Sequence, residues 1–228
     1  MEEPPGSPDA MCLHVPGFVI SPLNKDILGD AARIYTYDFL ADEPTSKRHA
    51  PDLSQVFQYS EIYVSYLLGK DLSFIALDEK TGDIAGFIFC FDLACDLDSR
   101  QLPFAGLLSF FPDAISMIDE LEERVFDLKK IPPGNILHIF QIGVARSYRG
   151  LGISKKLINH VLLNAGKKGF RQIIADCTNP VSKSAFEKCG FSEAEFYSYD
   201  DFERDDIKFF KGIKGGISLM KKDLDNSS

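Results

Sequence analysis

No stretch of this 228-residue chain is apolar for long enough to span a bilayer. The first residues, MEEPPGSPDAM, are acidic and rich in proline and glycine, with neither the basic nor the apolar region of a secretory leader. Basic charge is in deficit: 25 Lys and Arg against 34 Asp and Glu leave a formal charge of −9, which argues against a nucleic-acid partner and suits a cationic small molecule. The five cysteines (Cys12, Cys90, Cys95, Cys177 and Cys189) are scattered, with no C-x-x-C pair, and no two histidines have ligand spacing. That speaks for reduced thiols in a cytoplasmic setting and against a metal site. Internal repeats are absent. The length and a hydrophobic share of 45% suffice for one well-buried core and fall short of two. The expected layout is a disordered lead over 1–15, a single domain over 16–223 and a short tail over 224–228, with no membrane association.

Against these absences stands one informative stretch, Ile136 to Ser154. Ile136, Leu137, Ile139, Phe140, Ile142 and Val144 read as a strand, short and rich in β-branched residues. The chain then turns on Arg149-Gly150-Leu151-Gly152 and continues as a helix with Ile153, Leu157, Val161 and Ala165 on one stripe. A helix N-terminus reached through a glycine turn aims unpaired N–H groups and the positive end of the helix dipole at one point, which is a phosphate-binding arrangement. Two familiar ligand readings are missing. The dinucleotide fingerprint requires a third glycine where Lys155 stands, and a Walker A loop requires a terminal Gly-Lys-Ser/Thr that Gly152-Ile153-Ser154-Lys155 does not supply. What remains is Arg149-x-x-Gly152-x-Ser154.

The rest of the chain reads as a mixed α/β domain. Strands are expected at Phe18–Ile20, 72–77, 84–93, 172–177, 191–199 and 216–221, with a hairpin turn at Thr81-Gly82-Asp83. Helices are expected from Asp26, as cap, to near Leu40, from Pro51-Asp52 to Gly69, over 111–128 and over 180–189. DEPTSKRH, after the first helix, reads as a polar loop. The aromatic second helix, with Tyr59, Tyr63 and Tyr66, is expected to turn one face to the core and another to a pocket. The segment 92–107 reads as irregular.

The Arg149-x-x-Gly152-x-Ser154 run, with Tyr148 before it, resembles the Gln/Arg-x-x-Gly-x-Gly/Ala motif of the GNAT superfamily of N-acetyltransferases; Ser154 departs from the last position. Asn179-x5-Ala185-x-Glu187-Lys188-x-Gly190-Phe191 is similar to a second segment of that family, and Phe39-Leu40-Ala41-Asp42-Glu43-Pro44 resembles the "F…DEP" signature of its insect-type arylalkylamine members. The resemblance covers most of 18–222. It implies the GNAT fold, a central twisted mixed sheet of about seven strands flanked by helices. It also implies acetyl-coenzyme A as donor. Ile142, Gly143, Val144, Arg149, Gly150, Leu151, Gly152, Ile153, Ser154, Asn179, Ser182 and Phe186 would hold the cofactor. A backbone N–H of the 142–144 strand would polarise the thioester carbonyl. Glu43 would be the general base, directly or through water, with Ser182 and Thr178 assisting proton transfer. Phe186 stands where many members carry a tyrosine acid, so that acid is missing; Tyr197 or Tyr199 could replace it.

Gly143 in mid-strand is consistent with close backbone approach of a ligand and equally with a bulge. His138 and His160 are expected to be structural. The acceptor implied is a small primary amine, an arylalkylamine first, with a polyamine or a peptide or protein amine as alternatives. A non-enzymatic acyl-coenzyme A binding or sensing module on the same fold is the rival. Monomer and homodimer stay open.

Overall fold

The computed structural model describes residues 17–95, 103–224. The expected disordered lead therefore lies outside the described residues, as do most of the tail and the middle of the 92–107 segment.

Seven strands form one sheet in the order β1-β2-β3-β4-β5-β7-β6. β1 (Phe18–Pro22) opens it. Asn24, not Asp26, caps the turn that follows, its side chain accepting from the Asp26 N–H. An asparagine in extended geometry leaves its carbonyl oxygen in reach of the second N–H beyond it, and Asp26 is already inside the turn. α1 (Leu28–Ile34) continues as a π-helical stretch, Tyr35–Leu40, wider than an α-helix. DEPTSKRH proves to be largely helical: α2 (Pro44–His49) starts on Pro44 with Glu43 as its cap. The polar composition hid it, because six residues carry too little periodicity to show. α3 (Leu53–Leu67) opens at Pro51-Asp52 as expected, with Asp52 as its cap.

β2 (Phe74–Asp78) and β3 (Ile84–Asp92) make the hairpin. α4 (Ala105–Leu108) and α5 (Pro112–Val125) precede β4 (Ile136–Val144). α6 (Ile153–Lys167), β5 (Gln172–Cys177), α7 (Pro180–Glu187), β6 (Ser192–Ser198) and β7 (Gly216–Asp223) complete the order. Among the described residues no helix is long and apolar enough to cross a membrane.

One core lies on each face of the sheet. α1, α3, α5 and the 199–213 segment cover one side, with Tyr35, Tyr63, Phe87, Phe89, Met117, Leu121 and Phe210 in it. α6 covers the other, with Leu157, Val161 and Ala165 against Ile88, Leu137 and Ile139.

Two irregularities of β4 position everything that follows. The first is a bulge. Phe89 pairs with Gln141 and Cys90 with Ile139, so Phe140 is an extra residue. Before the bulge, Ile136 and Phe140 face the α5 side while Leu137 and Ile139 face α6; after it, Ile142 and Val144 face α6. The period of two restarts, so Phe140 and Gln141 both turn to the α1–α3–α5 side. The second irregularity is a fork. β4 and β5 form the one parallel pair of the sheet, and their pairing ends at Ile139↔Ala175 although both strands run on. Beyond that pair, β4 stays bonded to β3 and β5 to β7. A wedge opens between them, with Asp176 one residue past its apex.

Candidate active site

Two cavities meet over this fork. The first, about 570 Å³, is lined by Ile142, Gly143, Val144, Tyr148, Arg149, Gly150, Gly152, Ile153 and Ser154, with Asp42 opposite. Gly152 caps α6 from left-handed geometry (φ +77°), and Gly150 in the turn before it is left-handed too (φ +83°). A side chain rarely tolerates such angles. Among the described residues no side chain caps the N-terminus of α6, and a Cβ built on Gly150 or Gly152 would meet nothing within 4 Å. The glycines thus serve the turn's dihedrals, and the space above the amides is open. An open helix N-terminus of this kind is in general an anion-binding arrangement.

Arg149 is tethered beside the cradle. Its Nη2 donates to Asp42 Oδ2 at 2.8 Å and its Nε to the Val144 carbonyl at 3.3 Å. Arg146 forks onto the same carboxylate at 2.9 and 3.0 Å. Hydrogen bonds from Arg146 and then Arg149 hold the Asp42 carboxyl well below the usual carboxylate range. Asp42 therefore ties the DEP segment to the β4–α6 turn.

The second cavity, about 120 Å³, is apolar along most of its wall: Tyr35, Phe39 and Leu40 from the π-helical stretch, Leu107, Leu108 and Phe111, Ala114, Ile115 and Ile118 from α5, and Ile139, Phe140 and Phe186. Its polar lining is Glu43, Thr45, Ser46, Gln141, Asp176, Thr178, Asn179 and Ser182. Five residues, Phe39, Glu43, Ile142, Asn179 and Ser182, border both cavities. They mark the junction of an anion cradle and an apolar slot.

Glu43 is buried at that junction, 9% exposed. Its carboxylate caps α2: Oε1 accepts from the Thr45 N–H at 3.1 Å, and Oε2 from the Ser46 N–H and the Thr45 hydroxyl, both at 2.6 Å. Three donors and the helix dipole orient it. The polar-loop reading gave no such anchoring. Asn179 caps α7 by accepting from the Val181 and Ser182 N–H groups, and the Ser182 hydroxyl donates to the Asn179 carbonyl at 2.9 Å.

Of the residues singled out from sequence, Glu43, Thr178, Asn179, Ser182, Ile142 and Phe186 are brought to the slot, and Gly143, Val144, Arg149, Gly150, Gly152, Ile153 and Ser154 to the cradle. Leu151 is left out; it is 53% exposed and lines neither cavity. Gly143 has a packing reason: a Cβ there would come within 2.5 Å of the Phe87 ring, and the bulge sits at Phe140 instead. Tyr197 donates to Glu120 and Tyr199 to the Thr178 carbonyl, and neither lines the slot. α3 stays behind the wall, meeting it where the Tyr63 hydroxyl donates to Gln141 Oε1 and where the Tyr63 ring packs on Tyr35.

Sequence reading missed Gln141, which a bulge delivers, and a buried cluster at the closed end of the fork. His138 Nε2 lies 2.8 Å from Asp176 Oδ2, and its Nδ1 lies 3.6 Å from Glu122 Oε1. Burial first, then Asp176, push the Glu122 carboxyl well above its usual range, with His138 opposing. Each of the three offers one ligand atom within 4.8 Å of the others, the set able to hold a cation among the described residues. His138 and Asp176 are 38 residues apart and Tyr63 and Gln141 78 apart, separations that leave no spacing to recognise.

Comparison with known proteins fits this geometry. The pattern described as the acetyltransferase (GNAT) family matches residues 34–191. Arylalkylamine N-acetyltransferase 2 from Aedes aegypti superposes with a TM-score of 0.74 at 20% identity, covering 91% of this chain and 99% of that one. The polyamine N-acetyltransferase of Drosophila melanogaster gives 0.68 at 15% identity, covering 91% and 100%. The structure of yncA from Salmonella typhimurium with its cofactor acetyl-CoA gives 0.57 at 15% identity, covering 93% and 96%.

Proposed function

Because the chain belongs to the GNAT family of acetyltransferases, whose donor is acetyl-CoA, we propose that it acetylates a small primary amine with an apolar, arylalkylamine-like tail, Glu43 acting as base. The observation that carries this reading is the junction: a buried carboxylate stands where the phosphate cradle opens into an aromatic slot.

The donor supplies an activated acetyl thioester. On the protein's side, the α6 N–H groups and Arg149 hold its diphosphate, and the fork leaves the Ile142–Val144 backbone open to the pantetheine arm. The acceptor arrives as an ammonium, which has no lone pair to attack with. Glu43 attracts that cation and takes one proton on its carboxylate, directly or through water. As the C–N bond forms and the C–S bond breaks, a second of the three ammonium protons leaves with the departing sulfur and the third stays on the amide nitrogen; the hydroxyls of Ser182 and Thr178 line that proton's route. Phe186 supplies no proton and walls the slot instead.

An arylalkylamine is favoured over a polyamine by the apolar and aromatic residues that make up most of the slot's wall. Among the described lining residues the carboxylates are Glu43 at the junction and Asp176, whose Oδ2 is engaged by His138.

Thiol release measured over a panel of amines tests the proposal. Turnover with at least one monoamine is expected. Glu43→Gln should lower kcat/KM by about a hundredfold or more, the lower range for a positioned base, with acetyl-CoA affinity kept. Intact cofactor binding without turnover of any amine would leave the proposal without support.

A further inference from the structure

Two polar groups of the slot's lining have no hydrogen-bond partner among the described residues. Tyr35 is 2% exposed and lines the slot, yet no hydrogen bond uses its hydroxyl among the described residues. Burial, then the nearby Glu43 carboxylate, push the phenol far above its usual range, so it stays protonated and is a donor. Gln141, brought to the same wall by the bulge, has its Oε1 occupied by the Tyr63 hydroxyl, and its Nε2 donates to none of the described residues. Tyr35 and Tyr63 pack with ring centroids 5.3 Å apart, so the two groups share one stretch of wall. A hydroxyl or amide that lines a ligand slot without a protein partner can give its hydrogen bond to a ligand atom, and leaving it unpaired once a ligand has displaced water costs free energy.

The structure assigns to Tyr35 and Gln141, as we read it, the role of a hydroxyl-recognising notch in the acceptor slot, selecting amines that carry an alcohol or phenol oxygen over their deoxy analogues. This rests on the acetyltransferase reading of the slot. The oxygen accepts from the Tyr35 hydroxyl and from a Gln141 N–H, and Tyr63 fixes the amide so that its N–H groups face the cavity. An amine without the hydroxyl leaves both donors unpaired, which is how a site built for a hydroxyl rejects an analogue lacking it. Tyr35 and Gln141 act here on specificity, not on the chemical step.

The test compares kcat/KM for phenethylamine, tyramine and 2-amino-1-phenylethanol, in the wild type, Tyr35→Phe and Gln141→Leu. Tyr35→Phe keeps the ring and its packing, and a thermal melt checks that both variants fold. The expected result is a wild-type preference of about tenfold or more for at least one hydroxylated amine, with the hydroxyl-to-deoxy ratio falling towards one in both variants. A wild type without preference, or a ratio that both variants leave intact, overturns the notch while the transferase reading stands. If acetyl-CoA binds and none of these amines is acetylated, both fall.

Discussion

Replacing Gly152 by alanine separates the backbone's requirement from the ligand's. At φ +77° an alanine pays about 1–2 kcal/mol for left-handed geometry. For a chain of this size that lowers Tm by about 2–8 °C. The added Cβ meets nothing within 4 Å, so strain is the whole cost in the free protein. Gly169, just past the other end of α6, supplies a matched control: its φ is +85°, and a Cβ there also meets nothing within 4 Å. Both variants should therefore melt lower by similar amounts. Only Gly152→Ala places a methyl group over the amides that would receive the diphosphate. Its Kd for acetyl-CoA, read by calorimetry, should rise at least about tenfold, or about 1.4 kcal/mol, with Gly169→Ala unchanged. Equal affinities in the two variants would refute the cradle, because strain would then explain everything.

Gly143→Ala should destabilise the protein without any ligand, since its Cβ would lie 2.5 Å from the Phe87 ring; an overpacking cost of about 1–3 kcal/mol is expected, seen as a shift of the urea midpoint. Glu122→Gln should stabilise more as pH rises. The folded Glu122 carboxyl keeps its proton above the range in which the unfolded one ionises, near 4.5, so the stability tied to that proton is full below that pH and is lost as pH rises towards the folded value. The Tm difference between variant and wild type should grow from pH 5 to pH 8; parallel curves would show that Glu122 is ionised in the fold.

The chain's local chemistry was open to reading where neighbours in sequence are neighbours in space. The strand, glycine turn and helix over 136–167 form one continuous motif, and their cradle follows from backbone geometry that favours glycine. The same holds for the start of α3 at Pro51-Asp52 and for the seven strands. Glu43 was legible as a residue of interest, but its anchoring was not: α2 is too short and too polar to show a period, and its stability comes from the cap and from burial of Thr45 and Ser46.

What the tertiary structure alone decided lies on β4. One extra residue at Phe140 reverses the strand's facing and sends Gln141 into the slot; alternation in the sequence carries no mark of it, because a bulge is set by pairing with β3. The fork past Ile139↔Ala175 likewise belongs to two strands at once. Glu122, His138 and Asp176 come together from a helix and two strands, through contacts between elements that no local pattern encodes.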